Sequence, residues 1–192
     1  RKDSVQLNEL ISDEPYLYKL VGHHGPAIEN QYMILRLYYR DGGAIDVYSK
    51  AKKGLELAKY HWDPSNEAIE KQGAGCDEYR VGTTVGLGGI ALWDGQQEVK
   101  LVATKGRDAR VCKVDGGAMA EMLHRGVMYK GQSVDIRVTI TMADDEREAS
   151  ITAECVSGQQ VQFLTGVNYH QGQTVDYADG RIAVWGIHPA DV

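Results

Sequence analysis

Val134-Asp135-Ile136-Arg137-Val138-Thr139-Ile140-Thr141-Met142 alternates apolar and polar side chains at every step. Successive side chains on a strand point to opposite faces, so this run predicts a strand that buries Val134, Ile136, Val138, Ile140 and Met142 and wets the residues between them. Candidate strands follow at 149–156, 160–168 and 181–187, separated by the turn pairs Ser157-Gly158, Gln171-Gly172 and Asp179-Gly180. Short strands at such intervals read as a β meander. Upstream, 98–104, 109–114 and 118–129 read as strands as well, although Ala118–Leu123 also fits a helical turn. At least half of 98–188 is expected to be strand, with no helix beyond about three turns.

The remaining segments fit the same class. Only 51–60 has helical composition, and it stops before Asp63-Pro64; 61–80 is polar and glycine-containing and reads as a long functional loop. The 192 residues make one antiparallel β-sandwich domain, 1–192, long enough to bury a core. No repeat or linker divides it. The chain is 43% hydrophobic and 25% charged, and no run approaches the roughly 18 apolar residues of a spanning helix. A net charge of -6, with acids and bases interspersed, offers no basic block for a phosphate backbone, so nucleic acid is not an expected partner. Cys76, Cys112 and Cys155 form no CxxC pair and read as buried free thiols. No metal-ligand spacing or cofactor motif is present, and none is expected. The chain starts at Arg1 without an apolar leader, which fits either a removed signal peptide or none.

The hairpin at 32–50 is the most informative for function. Strands 32–40 and 44–50 flank Asp41-Gly42-Gly43, read as a three-residue loop with glycine at the left-handed position. That loop pairs Arg40 with Ala44, Tyr38 with Asp46 and Arg36 with Tyr48. One face then carries Arg36, Tyr38, Asp46, Tyr48 and Lys50, and the other Leu35, Leu37, Tyr39, Ile45 and Val47. The second face is core. The first, if concave and open, has what saccharide recognition needs: rings for sugar C–H faces and charged groups for hydroxyls or a uronate carboxylate. An ordinary solvated face with cross-strand ion pairs has the same composition. Eleven Tyr and three Trp against one Phe add to the sugar-compatible character.

Several further residues qualify for chemistry. Adjacent His23 and His24 point to opposite sides of an extended chain, so one of them at most serves as a general acid or base. Glu29 leads into the hairpin, Trp62 lies in the polar loop, and His170 follows a strand end, where sites gather. His124 reads as structural. The glycine-dense stretch 73–89 has neither a P-loop ending nor a GxGxxG spacing; its glycines suit bulges and close strand or ligand approach. Cys76 has no basic neighbour in sequence to make it a nucleophile.

Taken together, His24-Gly25-Pro26-Ala27-Ile28-Glu29-Asn30, Arg36-Leu37-Tyr38-Tyr39, Ala44 to Lys50, Gly75-Cys76-Asp77 and Val81 to Gly89 resemble a bacterial domain family encoded beside polysaccharide-degrading enzymes, often with unsaturated-glucuronyl hydrolases. The resemblance is strongest over 22–50 and 73–93 and continues weakly to about residue 188. It implies a β-supersandwich similar to galactose mutarotases and several polysaccharide lyases, located in the periplasm or outside the cell. Members are longer, with further strands expected beyond Val192, and they often carry an aromatic at the Ile28 position and glycine at the Ser49 position.

The function expected from these readings is action on, or binding of, a uronic-acid-containing glycan, with β-elimination as the reaction. Arg36 would neutralise the carboxylate, His24 would act as base, and Tyr38 or Tyr48 as acid. Glu29, Asp46, Lys50, Trp62, Asp77 and His170 are the candidate substrate-binding residues. Two alternatives stand beside it. One is a mutarotase or epimerase pairing His170 or His24 with Glu29 or Asp46. The other is a glycan-binding or self-assembling module whose strand edges pair with another copy or with a completing chain.

Overall fold

The computed structural model describes residues 7–14, 17, 24–40 and 42–187. His23 and Asp41 lie outside them. The chain is an all-β sandwich of several antiparallel sheets with no closed barrel. Its strands are β1 (Glu9–Ser12), β2 (Ala27–Glu29), β3 (Met33–Leu37), β4 (Ile45–Ser49), β5 (Leu87–Trp93), β6 (Glu98–Val99), β7 (Gly106–Val114), β8 (Gly117–Tyr129), β9 (Gln132–Ala143), β10 (Ala149–Cys155), β11 (Phe163–Val167), β12 (Thr174–Ala178) and β13 (Arg181–Trp185). Two short helices, α1 (Leu57–Tyr60) and α2 (Asn66–Gln72), lie between β4 and β5.

The alternating run Val134–Met142 lies on β9, an interior strand of the largest sheet, ordered β1-β7-β8-β9-β10. Val134, Ile136, Val138, Ile140 and Met142 of β9 are all buried, each contributing about 1.5–3 kcal/mol of hydrophobic stabilisation. They share one core with Met122 of β8, with Leu35, Leu37 and Ile45 of the β2-β3-β4 sheet, and with Ile90 and Leu92 of the β11-β5-β6 sheet. The opposite face of the large sheet is wet and laced by ion pairs such as Arg110–Glu121 and Arg137–Glu154. Among the expected strands, 98–104 is strand only at β6, and β12 fills the gap between Gly172 and Asp179. Ala118–Leu123 belongs to β8. The three cysteines are free thiols but are not fully buried as expected: Cys112 is exposed, and Cys76 and Cys155 are half-buried.

The β3-β4 hairpin pairs Ile34 with Tyr48, Arg36 with Asp46, and Leu37 with Ile45. That register differs by two residues from the one a three-residue loop gives. The connection is longer because it is not a free turn. Gly43 accepts from the backbone N–H of Ile90, and Gly42 accepts from that of Leu101. Gly43 has φ +85, and a Cβ there would stand 1.9 Å from the Ile90 carbonyl oxygen, so only glycine allows this docking. A shift of two keeps every side chain on its expected face. Leu35, Leu37 and Ile45 face the core, and Arg36, Asp46 and Tyr48 face the other way.

That second face is covered as well. Residues 51–80 fold back over it and form a smaller core of Ile34, Tyr48 and Trp62, with Ala27 and Leu57 against it. Of 51–60, which has helical composition, only Leu57–Tyr60 is helix, and α2 lies within 61–80, where a loop was expected. Ser65 Oγ accepts from the Ala68 N–H to cap α2, and Gly73 in the left-handed conformation ends it. The chain then runs along the free edge of β4 through bridges Ser49–Cys76 and Ile45–Gly86, so backbone proximity accounts for glycine at 86, where a Cβ would stand 2.0 Å from the Ile45 carbonyl oxygen.

Candidate functional site

Covering the polar face turns it from a solvated surface into a buried charge cluster. Arg36 and Asp46 come from opposed positions on β3 and β4, and both are buried, at 4% and 0% exposure. Arg36 Nη2 donates to Asp46 Oδ2 at 2.7 Å and to the Tyr38 hydroxyl at 2.9 Å. The Tyr38 hydroxyl donates to the same Asp46 oxygen at 2.7 Å, and Asp46 Oδ1 accepts from the Val47 N–H. The guanidinium carbon lies 3.8 Å from the Trp62 ring centroid and 4.8 Å from that of Tyr38. A planar cation between two aromatic faces suits arginine and not lysine. Arg36 Nε, also buried, has no hydrogen-bond partner.

The cluster opens to solvent on one side. Trp62 Nε1 donates to Asp77 Oδ2 at 2.6 Å, and that oxygen is 3.7 Å from Arg36 Nη2. Asp77 and Tyr38 line a cavity of about 450 Å³, together with Ala44, Tyr79, Arg80, Val81 and Gly82. Tyr79 and Arg80 are held from behind by Asn168, whose backbone N–H donates to the Tyr79 hydroxyl and whose side-chain amide donates to the Arg80 carbonyl. His24 is exposed, with its ring edge-on to Tyr38 at 6.3 Å. Trp62 follows His61, whose φ of 59 is in the left-handed region that only glycine enters freely. Strain of this kind costs about 1–3 kcal/mol and persists where the surroundings impose it.

The proton affinities follow from this placement. Burial, with Asp46 nearby, pushes the Asp77 carboxyl up to about 6; the Trp62 N–H and Arg36 act the other way. Partial desolvation, then Arg36, hold His24 below its ordinary value, so it is neutral at pH 7. Burial raises Tyr38 and keeps its hydroxyl protonated. Tyr79 is pushed up to about 12 by burial. One open carboxyl and one neutral imidazole thus flank a protonated phenol, an arrangement that can move protons near neutral pH.

The structure brings His24, Arg36, Tyr38, Asp46, Trp62 and Asp77 together. It places the other candidates elsewhere. The Tyr48 hydroxyl, buried against Trp62, donates to Glu56 Oε2 at 3.0 Å, which also accepts from the Gly75 N–H. Glu29 and Lys50 form a 2.6 Å ion pair that clasps the covering segment: Glu29 accepts from the N–H groups of Glu56 and Leu57, and Lys50 reaches the carbonyls of Asn30 and Gly54. His170 lies in the turn after β11, its backbone N–H donating to Gln173, two residues beyond Asn168. Sequence reasoning passed over Tyr79 and Arg80, an aromatic-cation pair inside the glycine-framed stretch, and Glu56, a lone acid beside an apolar Leu55. His124 is fully buried, accepting at Nδ1 from Arg107 Nε at 3.1 Å. Burial lifts the Cys76 thiol to about 11 and leaves it unreactive at neutral pH.

A family model described as a domain of unknown function, DUF4861, matches residues 1–188. The chain belongs to the DUF4861 family. Neither a curated protein nor a solved structure matches it. Among the described residues of this DUF4861 domain, no helix is long and apolar enough to cross a membrane, and no three His, Cys, Asp or Glu side chains group as metal ligands would.

Proposed function

We propose that this DUF4861 domain is carbohydrate-active and takes a uronic-acid-bearing saccharide into the cavity lined by Tyr38, Asp77, Tyr79 and Arg80. The observation that carries the reading is that Tyr38 and Asp77 line one open cavity with an exposed arginine on its wall, while the His24 ring stands edge-on to Tyr38 at 6.3 Å. Tyr79 supplies a ring for the sugar face, and Arg80 a fork for the carboxylate. Arg36, neutralised by Asp46 and stacked under Trp62, orders the site from within instead of meeting the substrate carboxylate.

The reaction that fits is β-elimination. Neutral His24 takes the proton from the carbon beside the uronate carboxyl, the C–H electron pair becomes a carbon–carbon double bond, and the bond to the leaving sugar oxygen breaks. Tyr38 gives that oxygen its hydroxyl proton and is reprotonated from water, as His24 returns its proton to water. The test is a panel of uronate oligosaccharides, read by calorimetry and by absorbance of the conjugated product near the ultraviolet edge. Binding weakened about tenfold or more in Arg80→Ala, with an unchanged unfolding midpoint, supports the reading. A panel showing neither heat nor absorbance ends it.

A second reading has its own observation. β12 and β13 form a two-stranded sheet apart from the others, and its Tyr177–Ile182 cross-strand pair and Trp185 are exposed, Tyr177 at 70%. An apolar hairpin of this kind suits association with a second copy of the chain. Sedimentation with and without Tyr177→Ser decides it.

A further inference from the structure

One guanidinium in this site stands between two carboxylates in unequal places. Asp46, with 1% of its side chain exposed, holds Arg36 at 2.7 Å; Asp77, at 27%, is 3.7 Å from the same nitrogen. Arg36 is kept on the inner partner by geometry, since its plane is caught between the rings of Trp62 and Tyr38 and the Tyr38 hydroxyl bonds both members of the pair. Asp77 is left with one firm donor, the indole N–H of Trp62. The charged and titratable groups around it are Arg36 and Tyr38 from the β3 side, His24 beyond Tyr38, Asp46 from β4, Asp63 after α1, and Cys76, Glu78, Tyr79 and Arg80 from its own segment. A ligand carboxylate entering the cavity meets like charge when Asp77 is ionised, and a hydroxyl donor when it is protonated.

We propose that Asp77 is the residue whose protonation decides whether an acidic ligand is held, and that Asp46 and Trp62 are its positioning residues, Asp46 by retaining Arg36 and Trp62 by its indole N–H. The proposal rests on the acidic-saccharide reading for its ligand, and its positioning half is tested without any sugar. Carbon-detected NMR of the Asp77 carboxyl gives its titration midpoint directly. In the wild type it is expected near 6, since burial and Asp46 push the carboxyl up. Asp46→Asn removes the negative neighbour and frees Arg36 to turn outward, and lowers the midpoint by about one unit or more. Trp62→Phe keeps a ring over Arg36 but removes the donor that favoured the ionised form, and raises the midpoint.

Should Asp46→Asn fail to fold, Trp62→Phe still decides. A wild-type midpoint in the ordinary carboxylate range, or variants that lower thermal stability while leaving the midpoint unmoved, overturns the positioning claim. The ligand claim is read with oligogalacturonate as probe. If only the protonated form binds, the apparent affinity is about tenfold higher at pH 5 than at pH 7, the ratio of competent fractions for a midpoint near 6. Asp77→Asn abolishes that pH dependence. Equal affinity of the wild type at both pH values overturns the ligand claim. Failure of every glycan to bind at either pH overturns both the ligand claim and the saccharide reading, while the sugar-free midpoints still decide the positioning.

Discussion

Arg36→Ala is the substitution whose outcome most sharply separates a surface binding residue from a buried structural one. An arginine on an open sheet face would be lost at a cost within about 0.5 kcal/mol. Here the change leaves Asp46 buried with only the Tyr38 hydroxyl and the Val47 N–H as donors, and empties the space between two aromatic rings. Removing one member of a buried ion pair costs about 3–5 kcal/mol, a large part of a total stability on the order of 5–15 kcal/mol. With a urea m-value of about 2 kcal/mol/M, the unfolding midpoint falls by about 1.5–2.5 M at unchanged slope. Adding Asp46→Asn to Arg36→Ala removes the orphaned charge, so the double variant is expected to be less destabilised than the sum of the singles by at least about 1 kcal/mol. The reasoning is refuted if Arg36→Ala costs less than about 1 kcal/mol, or if the two costs simply add.

Two further outcomes follow from the same geometry. Because Asp77 is pushed up to about 6, the folded chain holds a proton that the unfolded chain has released between about pH 4 and 6. Stability therefore falls as pH rises through that window, by on the order of 1–2 kcal/mol after solvent screening. Denaturation curves of Asp77→Asn against wild type should lack this fall; His24, held below its ordinary value, acts in the opposite sense in both proteins and cancels in the comparison. Tyr48→Phe withdraws a donor from the buried Glu56 carboxylate, and a loss of about 1–3 kcal/mol in unfolding free energy is expected. Ligand binding at the cavity should be unaffected, since Tyr48 is not on its wall.

The strands with one wet face were legible because their alternation is strict; β9 and β10 follow the sequence pattern almost residue for residue. The faces of the β3-β4 hairpin were legible too, since the register error was an even number. Loop length was not, because Gly42 and Gly43 dock onto Ile90 and Leu101 from distant parts of the chain, a contact that local turn preference does not encode. The polar face was expected to be open. Whether Arg36, Tyr38 and Asp46 meet solvent depends on where Trp62 lands, and that is settled by the packing of residues 51–80, which carry little periodicity. The start and stop of α2 were readable at Ser65 and Gly73 once the stretch was considered as helix.

Glu29 and Glu56, the two carboxylates that clasp the covering segment, divide the molecule into layers of unequal permanence. The sandwich is held by a continuous apolar core, while the roof over Arg36 is held by a small satellite cluster and by bonds that converge on two side chains. Segments anchored in this way open at free energies below that of global unfolding. Amide exchange at 57–75 should accordingly run ahead of exchange in β8 and β9, and each opening admits water to an ion pair that is otherwise dry.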